Sequence, residues 1–482
     1  LTDSGEPFGT AIEPQSPVVL PSDPSILSKL IGIPSEGIVV GFLHTGTAPV
    51  AGGLVPLRIP RREFFKHLLI LGTTGSGKTT FIKNLMYSIM NSWYEASLVV
   101  IDAAGDYTQI LLPPPEPPNE TEVFKKYLRS HKYPNWVTVL VPLRKKDTDL
   151  KYFAINYVKD RLLRIANEFH GKDLEFMIES TRGFDSTYSV VIKVMMDNWK
   201  GFVEVVPISL SYNQIRDHLE IFPLFSRQAK IFLRNVINYL DSLVGGITNF
   251  TYLSRVCRER SNELMRALKI HKGTLENIER ALNFIASSEE VDVIVGRMSI
   301  GMPSIDSLMS KYRGPIVLDL DYAAVRGAHF IVLNLIAYEF LRSLYVWKKT
   351  LGYSKPVLVV LDEAHRFFPS EGTSAEEVEL LADFISRIAR LGRSKGLGLI
   401  FSTHSPKDVH KIVIQLTNTK IVFRSEREYL EFLDIPREFI PILELAQDRV
   451  GLIRSSAIRS GYALFKTSEP LLGHYDVGRL IS

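Results

Sequence analysis

A chain of 482 residues has room for two or three domains with sizeable cores. Its 57 Lys and Arg stand against 53 Asp and Glu, which excludes a polybasic coat for nucleic acid and confines any such contact to a groove or pore. Cys257 is the single cysteine, so no disulfide forms within the chain and a reducing interior is the default.

Residues 1–60 are rich in Pro and Gly and carry short β-like runs, Gly37–Phe42 and Val55–Ile59. A small β-rich segment is expected there, too short for a full barrel. No signal peptide is visible, although the chain opens on Leu1 rather than Met. From Phe65 strand and helix alternate, and the first part of an α/β core is expected over 61–151. Leu68–Leu71 is a strand that feeds Gly72-Thr-Thr-Gly-Ser-Gly-Lys78-Thr79, and the helix-forming run Phe81–Tyr87 follows. Gly75 and Gly77 let the backbone turn so that successive N–H groups point at phosphate oxygens, and the positive end of the helix adds to that field. Lys78 is expected to reach the β- and γ-phosphates of ATP, and the Thr79 hydroxyl to ligate Mg²⁺. Gly72, Thr74, Ser76 and Thr80 complete the expected nucleotide-binding set. The alternative, a glycine turn beside a surface lysine, does not account for the strand in front and the helix behind.

Leu98–Ile101 is a second buried strand, ending in Asp102-Ala-Ala-Gly-Asp106-Tyr107. Leu112–Pro118 reads as a stiff polyproline linker, and Val137–Val141 as a strand followed by the basic Arg144-Lys145-Lys146. Over 152–313 the composition shifts to amphipathic helix, and a helical insertion is expected. The core resumes over 314–482 with Pro315–Leu320, a helix near Ile331, Pro356–Leu361, Leu397–Phe401 and Lys420–Phe423. Phe330–Leu341 is the best membrane candidate, but Asn334, Glu339 and Arg342 interrupt it too soon for a bilayer span. A soluble, cytoplasmic protein with no membrane partner is expected.

Pro356–Leu361 has the continuous apolar character of a central parallel strand, and it ends in Asp362-Glu363. Two carboxylates at the end of a buried strand are expensive unless they serve an ion or a reaction. Asp362 is expected in the Mg²⁺ shell, and Glu363 to orient and deprotonate the attacking water. A helix is expected over Glu376–Leu391, with Val378, Leu381, Ile385 and Ile388 on one face, Arg387 and Arg390 on the other, and Arg393 at the break that follows. These arginines form either a solvated face with an Asp383–Arg387 pair or an arginine finger for a neighbouring subunit. His404 would end a strand adjacent to the carboxylate strand, either as a sensor of the γ-phosphate or as a plain hydrogen-bonding residue. Alternating β and α elements imply a mostly parallel sheet with ligands at the carboxyl ends of its strands.

The set Phe65–Thr79, Ile101–Tyr107, Leu361–Phe368, Ile385–Leu399 and Gln415–Ile421 resembles the HerA group of archaeal DNA-translocating ATPases, relatives of FtsK. The likeness runs from Arg58 to Asn156 and from Gly314 to Phe465. It implies an α/β fold with a RecA-like P-loop ATPase core, and a homohexameric ring that pumps double-stranded DNA and works with a NurA-type nuclease on broken ends. The group's trans-acting arginines map onto Arg387, Arg390 or Arg393, and its acidic residue near the γ-phosphate onto Asp106. Three features depart from the group. At most the tail of the nuclease-docking barrel is present, Thr403-His404-Ser405-Pro406 replaces a common Ser-Gln-Arg-Pro, and Lys66 stands where an arginine is frequent. A secretion, conjugation or genome-packaging motor of the same group is the alternative cargo. A DEAH-box helicase is disfavoured because about 120 residues follow Asp362, too few for a second motor domain. A nucleotide-gated scaffold is disfavoured by the retention of Lys78, Thr79, Asp362 and Glu363.

Overall fold

The computed structural model describes residues 23–114, 124–222, 224–351, 355–370, 384–390 and 392–475. Sixteen strands occur among them: β1 (Ile38–Leu43), β2 (Pro56–Ile59), β3 (Leu68–Leu71), β4 (Ser97–Asp102), β5 (Trp136–Pro142), β6 (Glu175–Gly183), β7 (Tyr188–Met196), β8 (Trp199–Ile208), β9 (Ile294–Val295), β10 (Met298–Ser299), β11 (Ile316–Asp319), β12 (Val357–Leu361), β13 (Leu397–Thr403), β14 (Thr419–Phe423), β15 (Val450–Arg454) and β16 (Tyr462–Lys466). All but the small β9–β10 hairpin join one sheet in the order β2-β1-β16-β15-β14-β3-β13-β12-β4-β11-β5-β8-β7-β6.

Its centre, β14 through β8, is parallel throughout. Both faces of these strands are buried, as their unbroken apolar runs require. Alternate residues feed two cores. Val99, Ile101, Val359 and Leu361 pack with the helices Arg227–Val244, Phe250–Glu259, Lys272–Ser287 and Phe330–Leu351. Leu98, Val100, Leu358 and Val360 pack with the helix Lys78–Ser92 and the helical stretch from Leu150 to His170. The period-2 alternation of strand side chains thus serves both sides of a three-layer fold.

Two expectations need correction. The stretch 152–313 is helical only in part, because Glu175–Ile208 forms the antiparallel β6-β7-β8 meander that widens the sheet. The β runs of 1–60 do not stand apart either: β1 pairs with β2 and with β16, so they form the sheet's other antiparallel border. Phe330–Thr350 is long and apolar enough to cross a membrane, yet 56% of that window is buried, the state of a core helix.

Candidate nucleotide site

Strand order explains the site. β13 separates β3 from β12, so the residue after β13 stands between the phosphate loop and the paired carboxylates. That residue is His404. Its Nδ1 lies 2.9 Å from Lys78 Nζ, and its Nε2 lies 2.6 Å from Glu363 Oε1. Since an ammonium has only protons to offer, Nδ1 accepts from Lys78 and Nε2–H donates to Glu363. Lys78, which lies hundreds of residues before the other two in sequence, forms one chain of contacts with His404 and Glu363.

The loop has the backbone that anion binding needs. Gly75 and Gly77 have φ of 72° and 98°. At Gly77 a Cβ would also fall 2.9 Å from Arg449 Cγ, so the position is closed to other residues by conformation and by space. The helix Lys78–Ser92 starts there without a side-chain cap, leaving its first N–H groups for a ligand. Lys78 Nζ is held over the loop by the carbonyl oxygens of Gly72 at 2.5 Å and Thr73 at 3.0 Å, and Ser76 Oγ donates to Thr73 O at 2.7 Å. Thr74 is exposed at the loop's tip, Thr79 is half-buried and Thr80 is buried. Burial pushes the Lys78 ammonium down to about 8, against the opposing pull of Glu363 and Asp362.

On the other side Asp362 is buried, and burial together with the charges of Glu363 and Asp106 raises its carboxyl to about 6. A buried carboxylate short of positive charge suits a divalent cation. Among the described residues no three or more His, Cys, Asp or Glu side chains are grouped to hold a metal alone. Mg²⁺ in nucleotide sites takes one or two protein ligands, with phosphate and water completing the shell, and Thr79 and Asp362 fit that demand. Glu363 adopts a left-handed backbone, φ 51° and ψ 52°. Such a conformation stores about 1–3 kcal/mol in a non-glycine residue and is characteristic of functional sites. Burial would raise its carboxyl, but the hydrogen bond from His404, with His365 and the charge of Lys78 behind it, holds it below its ordinary value.

Asp106 follows β4, the neighbour of β12, and its charge acts on Asp362, Asp102 and Lys83. Its loop is shaped by Asp102, whose carboxylate accepts from the backbone N–H groups of Ala104, Gly105 and Tyr107. Burial, then the charges of Asp319 and Asp106, raise the Asp102 carboxyl. The sequence reading missed the partner of this arrangement. Asp319, at the end of β11, accepts both arms of Arg161 at 2.9 and 2.8 Å and the Tyr157 hydroxyl at 2.7 Å, docking the helical stretch 150–170 beside the site. A second apolar strand ending in Asp was the available signal, but its cation lies 158 residues away.

Arg387 and Arg390 are exposed while Ile385 and Ile388 are buried, the facing expected of them. Val378, Leu381 and Asp383 lie outside the described residues, as does the side chain of Arg393. His67 Nε2 donates to Ala389 O at 2.9 Å, which fastens the 384–390 helix at the amino end of β3, opposite the phosphate loop. Of the basic run after β5, Arg144 faces Glu290 at 3.5 Å and Lys145 donates to the carbonyls of Ala286 and Ser288. These two cations are engaged within the fold, and Lys146 remains exposed.

Comparison with known proteins gives two family matches, the central domain of helicase HerA over residues 38–298 and the helicase HerA-like C-terminal domain over 342–424. The DNA double-strand break repair helicase HerA of Sulfurisphaera tokodaii is 26% identical over 244 residues, which is 47% of this chain and 46% of that protein. The chain thus spans about half the length of that relative. A probable HerA of Methanocaldococcus jannaschii is 37% identical over 71 residues, 15% of this chain and 13% of its own length. Among solved structures, the bacterial conjugative coupling protein TrwBdeltaN70 aligns over 93% of this chain and 94% of its own at 13% identity and a TM-score of 0.49. The genome packaging NTPase B204 from Sulfolobus turreted icosahedral virus 2 aligns over 34% of this chain and 71% of its own at 17% identity and a TM-score of 0.23.

Proposed function

This chain belongs to the helicase HerA family, and on that premise we propose that it is an ATP-driven translocase of double-stranded DNA. It works as a ring of identical subunits in the processing of DNA ends, beside a NurA-type nuclease. The motor core in this reading comprises 61–151 and 314–482, with 152–313 inserted between them and 1–60 at its border.

The observation that supports it most is the Lys78–His404–Glu363 contact chain, which brings phosphate loop and base within one side chain of each other. Gly72, Thr74, Gly75, Ser76, Gly77 and Thr80 present the loop to the phosphates, and Lys78 pairs with the β- and γ-oxygens. Thr79 and Asp362 would hold Mg²⁺, which would supply charge neutralisation at those oxygens. Glu363 accepts a proton from water as the water oxygen bonds to the γ-phosphorus and the bond to the bridging oxygen breaks, giving ADP and phosphate. His404 holds Glu363 in position, and Asp106 biases the carboxylate half of the site. Arg387, Arg390 and Arg393 act in trans. The anchor of the 384–390 helix lies at the far end of β3, whose four residues span about 13 Å, away from the loop of the same subunit.

Phosphate release measured with and without linear duplex DNA tests the reading. Stimulation by duplex is expected, and turnover indifferent to DNA would remove the translocase assignment.

A further inference from the structure

At the end of the phosphate-loop helix remote from the loop, a cleft of about 550 Å³ is walled by Arg58, Arg61, Arg62 and Arg129. Arg58 comes from β2, Arg61 and Arg62 from the helical turn Arg61–Phe64, and Arg129 from the segment after Phe124. Ser92, the last residue of the phosphate-loop helix, also lines it. The 15 residues of that helix set the cleft about 20 Å from Lys78. The two sites are separate.

Four guanidinium groups in one cleft repel each other unless anions balance them. Among the described residues the balance is poor. Arg61 donates to Ser92 O at 2.5 Å and lies over the Trp93 ring, answering the negative end of the helix rather than a carboxylate. Arg62, 78% exposed, stands 3.6 Å from Glu63, but that carboxylate already receives Lys66 at 2.7 Å and Asn418 at 3.1 Å. Arg58 is half-buried over the Tyr127 ring, and neither it nor Arg129 has an ion pair among the described residues. Glu36, at the exposed rim, is the one carboxylate lining the cleft among those residues. The floor is built for close approach. Gly37 has φ +138°, and a Cβ there would fall 2.4 Å from Ile59 O, so β2 can close against it.

All four cations are arginines, whose planar forks match phosphate oxygens in bidentate geometry where an ammonium cannot. We infer that this cleft is a second phosphate-binding site, one that takes the phosphodiester backbone of a nucleic-acid strand. The charges come from separate segments, with Arg62 and Arg129 exposed at the rim, which suits an extended polyanion crossing the cleft more than a small enclosed ligand. The source of the phosphate rests on the DNA reading above; the charge of the cleft does not.

Arg62→Gln/Arg129→Gln removes the two exposed arginines and leaves the packed Arg58 and Arg61 in place. Anisotropy of a labelled duplex bound to the full chain, titrated with salt, is expected to lose about 2 from the slope of log affinity against log salt, close to 0.9 per phosphate contact. Binding should weaken about ten-fold or more, with DNA-free ATP turnover unchanged. Arg129→Gln alone should lose about half of that slope, which covers the case of a poorly folded double variant. In a second arm, tripolyphosphate binding is measured directly by calorimetry on the Lys78→Ala protein, where the nucleotide loop is disabled. Tripolyphosphate binding that needs Arg62 and Arg129, with duplex affinity unaffected by their loss, would reassign the site to a free polyphosphate. Polyglutamate binding with the same dependence would reassign it to an acidic protein. Variants that melt like wild type and keep both duplex affinity and slope, with tripolyphosphate binding also unaffected, overturn the site. A wild-type protein that binds no duplex overturns the DNA reading instead, and the tripolyphosphate arm then decides the site alone.

Discussion

Replacing His404 with alanine removes the hydrogen bond that reaches Glu363 Oε1 at 2.6 Å. Burial is the largest influence on that carboxyl and works to raise it; His404 is the chief reason that it lies below its ordinary value. Without His404 the burial remains and its main opponent is gone. A hydrogen bond to a charged group contributes about 1.5–3 kcal/mol, which corresponds to about 1–2 pH units. The sign follows from the base role. Glu363 works deprotonated, so turnover rises as pH climbs through its pKa, and raising that pKa moves the acidic limb of the rate profile toward neutrality. Phosphate release by His404→Ala, followed from acidic to neutral pH alongside circular dichroism, should show that limb displaced upward by about 1–2 units. His404→Gln, whose amide can still donate to Glu363, should keep the limb near its wild-type place. An alanine profile that superimposes on wild type while the protein stays folded would refute the reasoning.

Lys78 gives a second test through proton linkage. Burial brings its ammonium to about 8 in the nucleotide-free protein, whereas phosphate binding requires the charged form, so ATP affinity should fall as pH rises through 8 and binding there should take up a proton. Calorimetry in two buffers of different ionisation enthalpy reads this directly, and equal heats above pH 8 would contradict it. If Arg387 or Arg390 completes a neighbour's site, its replacement by alanine should lower kcat by about 10³–10⁵. Mixing that variant with Lys78→Ala protein should then restore part of the activity, and no recovery in mixed rings would count against action in trans.

The strand, glycine turn and helix around Lys78 were legible because their signal is local and the three are contiguous in sequence. Asp362 and Glu363 were legible for a related reason, since charge at the end of an unbroken apolar run has little structural alternative. Their meeting through His404 was not, because it depends on β13 inserting between β3 and β12, an order set by long-range pairing. Nor could sequence show that Glu363 adopts a left-handed backbone. The β6 strand escaped notice because it is a border strand exposed along most of its length, so no face of it carries a core pattern. Arg144 and Lys145 belong to a basic run whose partners the sequence does not show: they bind carbonyls and a carboxylate contributed by residues well over a hundred positions later. Spacing cannot reveal such partners.

The whole account requires that Lys78 and Glu363 serve one bound ATP. Glu363→Gln, assayed for ATP retention and phosphate release on the same sample, tests this most directly. The protein should hold ATP as tightly as wild type while turnover drops by about 10²–10⁴. Turnover at the wild-type rate would contradict the account.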